Sequence, residues 1–116
     1  MIKVAIIGLG IMGRRMLQHM RIHEKFAPNY LWDPDKTACQ KAIEIDSEAK
    51  IMNSPEEAID GADLVYLACP PQVREAHAIQ TAQKGKALFL EKPLGIDIDH
   101  SKSLINKLKG FNVPLA

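Results

Sequence analysis

A loop of three spaced glycines constrains the fold of this chain more than any other feature of its sequence. Gly8, Gly10 and Gly13 form the pattern G-x-G-x-x-G. They follow Ile2–Ile7, a run that is apolar apart from Lys3 and suits a parallel strand covered on both faces, and they lead into "RRMLQHMRIHEKF", which has helical composition. Between a strand and a helix, the first glycine permits a tight turn, the second lets a ligand approach the backbone, and the third allows close helix–strand packing.

An acidic residue further along the chain indicates which ligand this loop would hold. Asp33 ends a short predicted second strand, "NYLW", and precedes Pro34. An acid at the end of a second strand can accept hydrogen bonds from both ribose hydroxyls of the adenosine half of NAD, whereas a turn aspartate before proline is the alternative. The loop then predicts a pyrophosphate over Gly10, Ile11 and Met12. NAD is favoured, and nearby Lys36 leaves NADP open.

Strand and helix signals alternate along the whole chain, which predicts an α/β fold. The fold class expected is a doubly wound parallel sheet, a Rossmann fold, with strand order 3-2-1-4-5-6. After the first strand and helix, the sequence predicts a strand ending at Asp33, a helix capped by Asp35 through about Ile45, and a strand at "AKIM". A helix follows with Ser54 and Pro55 at its start and Gly61 past its end, and then a strand at "LVYLA". The last predicted elements are a helix from about Val73 to Lys84 closed by Gly85, a strand at "ALFL", a helix through about Leu108, and a sixth strand beginning at "VPLA".

Length and charge bound the classes of function. The chain has 116 residues, one small domain over 1–116, and a net charge of +1, so nothing argues for a nucleic-acid or membrane surface. Cys39 and Cys69 fit no metal spacing, which predicts no metal site and a reducing cytoplasm. His19, His23 and His100 have no partner spacing, and all four histidines, His77 included, are interpreted as structural or solvated.

A charged stretch follows the fifth predicted strand. In "LFLEKPLG", Glu91, Lys92 and Pro93 come directly after an apolar run. Ligands of doubly wound sheets bind beyond the carboxyl ends of the strands, so this stretch lies on the same edge as the glycine loop. A lysine held there could stabilise a developing alkoxide of a substrate.

Together, "GLGIMG", Asp33, "ACPP" and "GKALFLEKPLG" resemble the Gfo/Idh/MocA oxidoreductases over essentially the whole chain. The resemblance implies a nicotinamide-dependent dehydrogenase acting on sugars, polyols or related compounds. It further implies that Lys92 is catalytic and contacts cofactor and substrate, with Glu91 beside it. Pro70 and Pro71 match the loop lining the nicotinamide side.

The resemblance has two departures. Arg74 stands where the family often has a histidine, and the chain stops within the predicted sixth strand. The family continues into a second domain that supplies the substrate pocket and the usual oligomer contacts, so we expect the nucleotide-binding half of a longer, homo-oligomeric protein. The fragment alone is expected to be inactive.

Two other functions remain as alternatives. "IIGLGIMGRRM" is also similar to the 3-hydroxyisobutyrate and 6-phosphogluconate dehydrogenases, which lack the E-K-P stretch. A non-catalytic NAD-binding sensor or regulator would use the same fold, although the retained Lys92 favours an enzyme.

Overall fold

The computed structural model describes residues 1–90, 98–111 and 114. In this part of the chain, parallel strands form one sheet in the order β3-β2-β1-β4-β5, so the first strand is central, as predicted. The strands are β1 (Ile2–Ile7), β2 (Phe26–Trp32), β3 (Lys50–Ile51), β4 (Leu64–Leu67) and β5 (Ala87–Leu90). The doubly wound α/β class is confirmed.

Helices cover the sheet on both sides. They are α1 (Ile11–Met20), α2 (Lys36–Ile45), α3 (Pro55–Gly61), α4 (Pro71–Gln83) and α5 (Ile98–Lys109). One apolar core lies between the sheet and α1 with α2, and contains Val4, Ile6 and Leu17. A second core lies on the other face, beneath α3, α4 and α5, and contains Ile7 and Leu88. No helix among the described residues is long and apolar enough to cross a membrane.

The predicted N-terminal caps of α2 and α3 are present, whereas Gly61 is the last residue of α3 and does not lie past its end. The Asp35 carboxylate accepts a hydrogen bond from the Thr37 N–H at 2.9 Å, and the Ser54 hydroxyl accepts one from the Glu57 N–H at 3.2 Å. Pro55 is the first residue of α3. Each cap satisfies an N–H group that has no partner within the helix, which typically stabilises a helix by about 1 kcal/mol.

Several boundaries differ from the predicted ones. Helix α1 begins at Ile11, inside the glycine loop, and ends at Met20, because the residues that follow turn into β2. Strand β2 begins at Phe26, before the predicted "NYLW". Its register against β1 shifts between Lys3 and Ala5. The shift accommodates Pro28, which has no N–H to donate to a neighbouring strand and is found in strands at irregular positions.

The helix after β4 also starts earlier than predicted, with Pro71 as its first residue. Proline is favoured there because the first helical N–H has no partner to lose. Most of the predicted sixth strand lies outside the described residues. The Leu88 N–H of β5 donates to the Pro114 carbonyl at 2.9 Å, on the side where that strand is expected.

Candidate functional site

Two glycines of the loop are required by the fold itself. Gly8 has φ +102°, a left-handed conformation that side chains disfavour, and a Cβ there would lie 2.7 Å from the carbonyl carbon of Ala68. A Cβ on Gly13 would overlap the carbonyl oxygen of Gly8 and lie 2.9 Å from its carbon. The loop therefore turns tightly at Gly8, and α1 packs directly on it at Gly13.

Gly10 has no such structural requirement. Its φ is −72°, and a Cβ there would meet no atom within 4 Å. It is the N-cap of α1, yet no side chain caps this helix and no acidic residue lies in its first turn. The N–H groups and the positive end of α1 are thus available to an anion. Ile11 and Met12 lie beside this opening and are 70% and 45% exposed.

Asp33 has a structural role that the sequence did not reveal. One carboxylate oxygen accepts the Leu9 N–H at 2.7 Å and the other accepts the Asp35 N–H, also at 2.7 Å. These bonds tie the end of β2 to the glycine loop and fix the orientation of the carboxylate. Since each oxygen can accept more than one hydrogen bond, both retain capacity for a ligand.

A cleft of about 250 Å³ opens at the carboxyl edge of the sheet, between the ends of β1, β2 and β4. Most of its wall is apolar, and Asp33 is the acidic residue of its lining. It is lined by Gly8, Trp32, Asp33, Pro34, Cys69, Pro70, Val73 and His77. The cleft brings together three of the predicted site residues, Gly8, Asp33 and Pro70.

His77 is a cleft residue that sequence reasoning missed. Its ring lies 6.1 Å from that of Trp32, edge to face, centroid to centroid. Burial lowers the pKa of His77, against the opposing charge of Glu56 in the first turn of α3. The imidazole is therefore neutral at pH 7. The signal available in the sequence was the four-residue spacing from Val73, which puts both side chains on one face of α4.

Arg74 is not among the residues that line the cleft, whereas His77 is. It is 3% exposed, and its guanidinium donates to the Cys69 carbonyl at 2.6 Å. This contact anchors the turn between β4 and α4. Burial raises the pKa of the Cys69 thiol, and the charge of Arg74 opposes that effect. Cys69 is thus a protonated thiol at neutral pH.

The remaining predicted residues divide into two groups. Pro71 starts α4, one residue beyond Pro70, which lines the cleft together with Asp33. Glu91 and Lys92 lie outside the described residues. In the sequence they follow Leu90, the last residue of β5, and β5 ends at the same edge of the sheet as the strands that precede the other loops of the site. Among the described residues, no group of three or more His, Cys, Asp or Glu could hold a metal ion.

Curated proteins are similar to this chain in sequence. An uncharacterized oxidoreductase of Streptococcus pneumoniae is 29% identical over 97% of this chain and 30% of its own length. The scyllo-inositol 2-dehydrogenase (NAD(+)) of Bacillus subtilis is 30% identical over 97% of this chain and 34% of its own. The chain thus spans about a third of the length of these curated relatives.

Solved structures agree on the fold. Biliverdin reductase of Synechocystis, in complex with biliverdin and NADP+, superposes with a TM-score of 0.86 at 23% identity, over 98% of this chain and 36% of that protein. The family model described as the oxidoreductase family with an NAD-binding Rossmann fold matches residues 2–115. The chain belongs to the Gfo/Idh/MocA oxidoreductase family and comprises its NAD-binding Rossmann domain.

Proposed function

We propose that this domain holds NAD across the carboxyl edge of its sheet, as the cofactor half of a longer enzyme. That enzyme transfers a hydride between nicotinamide and a sugar, a polyol or a related hydroxy compound. The observation that carries the proposal is Gly10, whose backbone conformation and open surroundings do not require glycine. A ligand that must approach the backbone closely at this position explains why the residue is glycine.

The arrangement of the other residues supports one orientation of the dinucleotide. The pyrophosphate lies over Gly10, Ile11 and Met12, where the N–H groups at the start of α1 are open. The ribose of the adenosine half lies at Asp33, and its base enters the apolar cleft that Asp33 lines. Pro70 then contacts the adenosine half, rather than the nicotinamide side to which the family resemblance assigned it.

The chemical step belongs to the nicotinamide end. Bound NAD supplies the hydride acceptor, and the protein positions the substrate and moves a proton. We assign the catalytic role to Lys92, which follows β5 in the sequence, with Glu91 beside it. The substrate pocket and the homo-oligomer contacts belong to a second domain. An inositol as substrate, as the name of the Bacillus subtilis relative states for that protein, would fit this class.

Gly10→Ala tests the proposal, because the added methyl group occupies space that only a ligand needs. We expect NAD affinity to fall about 10-fold or more, while the free energy of unfolding changes by about 1 kcal/mol or less. Titration calorimetry and thermal melts of the 116-residue chain measure both. Gly110→Ala, at the far end of α5, is the matched control and should leave NAD binding unchanged. Equal NAD affinity in Gly10→Ala and the wild type contradicts the proposal.

Asp33→Ala should weaken NAD binding by roughly 10- to 150-fold and relax the rejection of NADP, since charge-assisted hydrogen bonds to the ribose are lost. It should also lower the free energy of unfolding by about 1–3 kcal/mol, because the buried Leu9 N–H loses its acceptor. Asp33→Asn keeps one acceptor oxygen but removes the charge, so it separates the effect on cofactor binding from the effect on the free energy of unfolding.

The control for Asp33 is Asp35→Asn, a carboxylate two residues away that caps α2 and does not line the cleft. It should leave the ratio of NAD to NADP affinity unchanged. If that ratio is also unchanged in both Asp33 variants, Asp33 does not contact the ribose.

A further inference from the structure

We propose that His77 determines which nucleobase the cleft admits: its ring presents a hydrogen-bond acceptor that selects a 6-amino purine over a 6-oxo purine. This inference rests on the proposed binding of NAD and adds the recognition of its base. It assigns a role in the cofactor site to a histidine that lies on α4, outside the glycine loop and the strand-end acid.

The polarity of the cleft matches that of a nucleoside. Its walls include the side chains of Trp32, Pro34 and Val73, which suit the faces of a planar base. Asp33 is the carboxylate of the cleft and suits the hydroxyls of a sugar. His77 supplies a second strong polar group, so it is placed to read the edge of a base held between apolar walls.

The protonation state of His77 leaves one ring nitrogen as an acceptor. Burial lowers its pKa, so the ring is neutral at pH 7. A neutral imidazole has one N–H donor and one bare nitrogen acceptor. The edge-to-face contact with Trp32 restricts the orientation of the ring.

Glu56 favours one of the two tautomers. Its charge acts on the imidazole, and it lies in the first turn of α3 without lining the cleft. Hydrogen bonds from its own backbone N–H and from Gln80 lower the pKa of Glu56, so its carboxyl group is ionised at neutral pH. A negative charge outside the cleft favours the proton on the nitrogen nearer to it. We assign the proton to the ring nitrogen on the side of Glu56, so that the bare, accepting nitrogen is the one that the ring presents to the cleft.

An acceptor in this position separates two otherwise similar bases. The 6-amino group of adenine donates a hydrogen bond, whereas the 6-oxo group of hypoxanthine only accepts. An accepting nitrogen on His77 therefore forms a hydrogen bond with the 6-amino group of adenine. With hypoxanthine in the same position, two acceptors would face each other and no hydrogen bond would form. A buried polar group without a partner typically costs enough to change affinity by about 10-fold.

The experiment compares NAD with its deaminated analogue, nicotinamide hypoxanthine dinucleotide, on the 116-residue chain. Trp32 is the single tryptophan of the sequence and lines the cleft, so its fluorescence reports binding. We expect the wild type to bind NAD about 10-fold more tightly than the analogue at pH 7.5. His77→Leu should bring the two affinities to within about 2-fold of each other.

Two further variants separate base recognition from a general effect on structure. The amide of His77→Gln can rotate to donate or accept, so this variant should bind both dinucleotides with similar affinity. Glu56→Gln removes the charge that biases the tautomer and should reduce the preference for NAD. His19→Leu, an exposed histidine on α1, is the matched control and should keep the wild-type preference.

The outcomes distinguish this inference from the proposed function. If the wild type binds neither dinucleotide at millimolar concentration, the proposed NAD site is wrong, and the base recognition is wrong with it. Equal wild-type affinities for the two dinucleotides contradict the role of His77 alone. The role of His77 is also contradicted if His77→Leu and His77→Gln both fold and keep the wild-type preference for NAD. The role of His77 is supported if the preference for NAD is lost in His77→Leu and His77→Gln and kept in His19→Leu.

Discussion

Gly13→Ala should lower the free energy of unfolding by about 3 kcal/mol or more, the upper end of what overpacking usually costs. The added Cβ would overlap the backbone oxygen of Gly8, which cannot rotate away as a side chain could. Gly8 cannot retreat either, because its own surroundings already leave no space against Ala68. Thermal unfolding of a domain of this size should shift down by roughly 10–20 °C.

The loop contains its own control for this prediction. Gly10→Ala makes the same chemical change three residues earlier, where a Cβ meets nothing within 4 Å. It should melt close to the wild-type temperature and lose cofactor affinity, whereas the main effect of Gly13→Ala should be a lower free energy of unfolding. A Gly13→Ala variant within about 1 kcal/mol of the wild type would show that α1 can move away from β1 at little cost.

Much of the fold could be predicted because its signals are local. A strand followed by G-x-G-x-x-G, and caps such as Ser54 before Pro55, are determined by neighbouring residues and kept their predicted places. The start of β2 could not be predicted in the same way. Its pairing of Phe26 with Ile2 is a contact between distant segments, and Pro28 in that segment argues against a regular strand.

The site was predictable where one residue performs one role in a known motif. The position of Asp33 at the end of β2 followed from its spacing, but its hydrogen bond to the Leu9 N–H depends on how the glycine loop folds back. His77 was missed for the same reason. The role that we propose for it depends on Trp32 and Glu56, which lie on two other elements and are brought together only by the fold.

Lys92→Ala should lower the turnover of the longer enzyme by about 10²-fold or more while changing NAD affinity only a few-fold. A charged group that stabilises a developing alkoxide or transfers its proton acts mainly on the transition state, so its loss appears in turnover rather than in cofactor binding. Steady-state kinetics beside NAD titration measures both quantities. Lys86→Ala is the matched control, since Lys86 precedes β5 at the opposite end of the strand and its side chain contacts the Asp60 carbonyl.

Lys92→Arg should not restore turnover, because a planar guanidinium cannot replace a compact ammonium group on a thin stem. The same reasoning predicts that residues 1–116 alone bind NAD weakly and catalyse no measurable reaction. Hydride transfer requires a substrate carbon held against the nicotinamide ring, and that positioning can account for about 7–11 kcal/mol of the barrier. Near-normal turnover in Lys92→Ala would make "LFLEKPLG" a structural turn. Tight NAD binding by the longer protein without turnover of any polyol would instead favour a sensor.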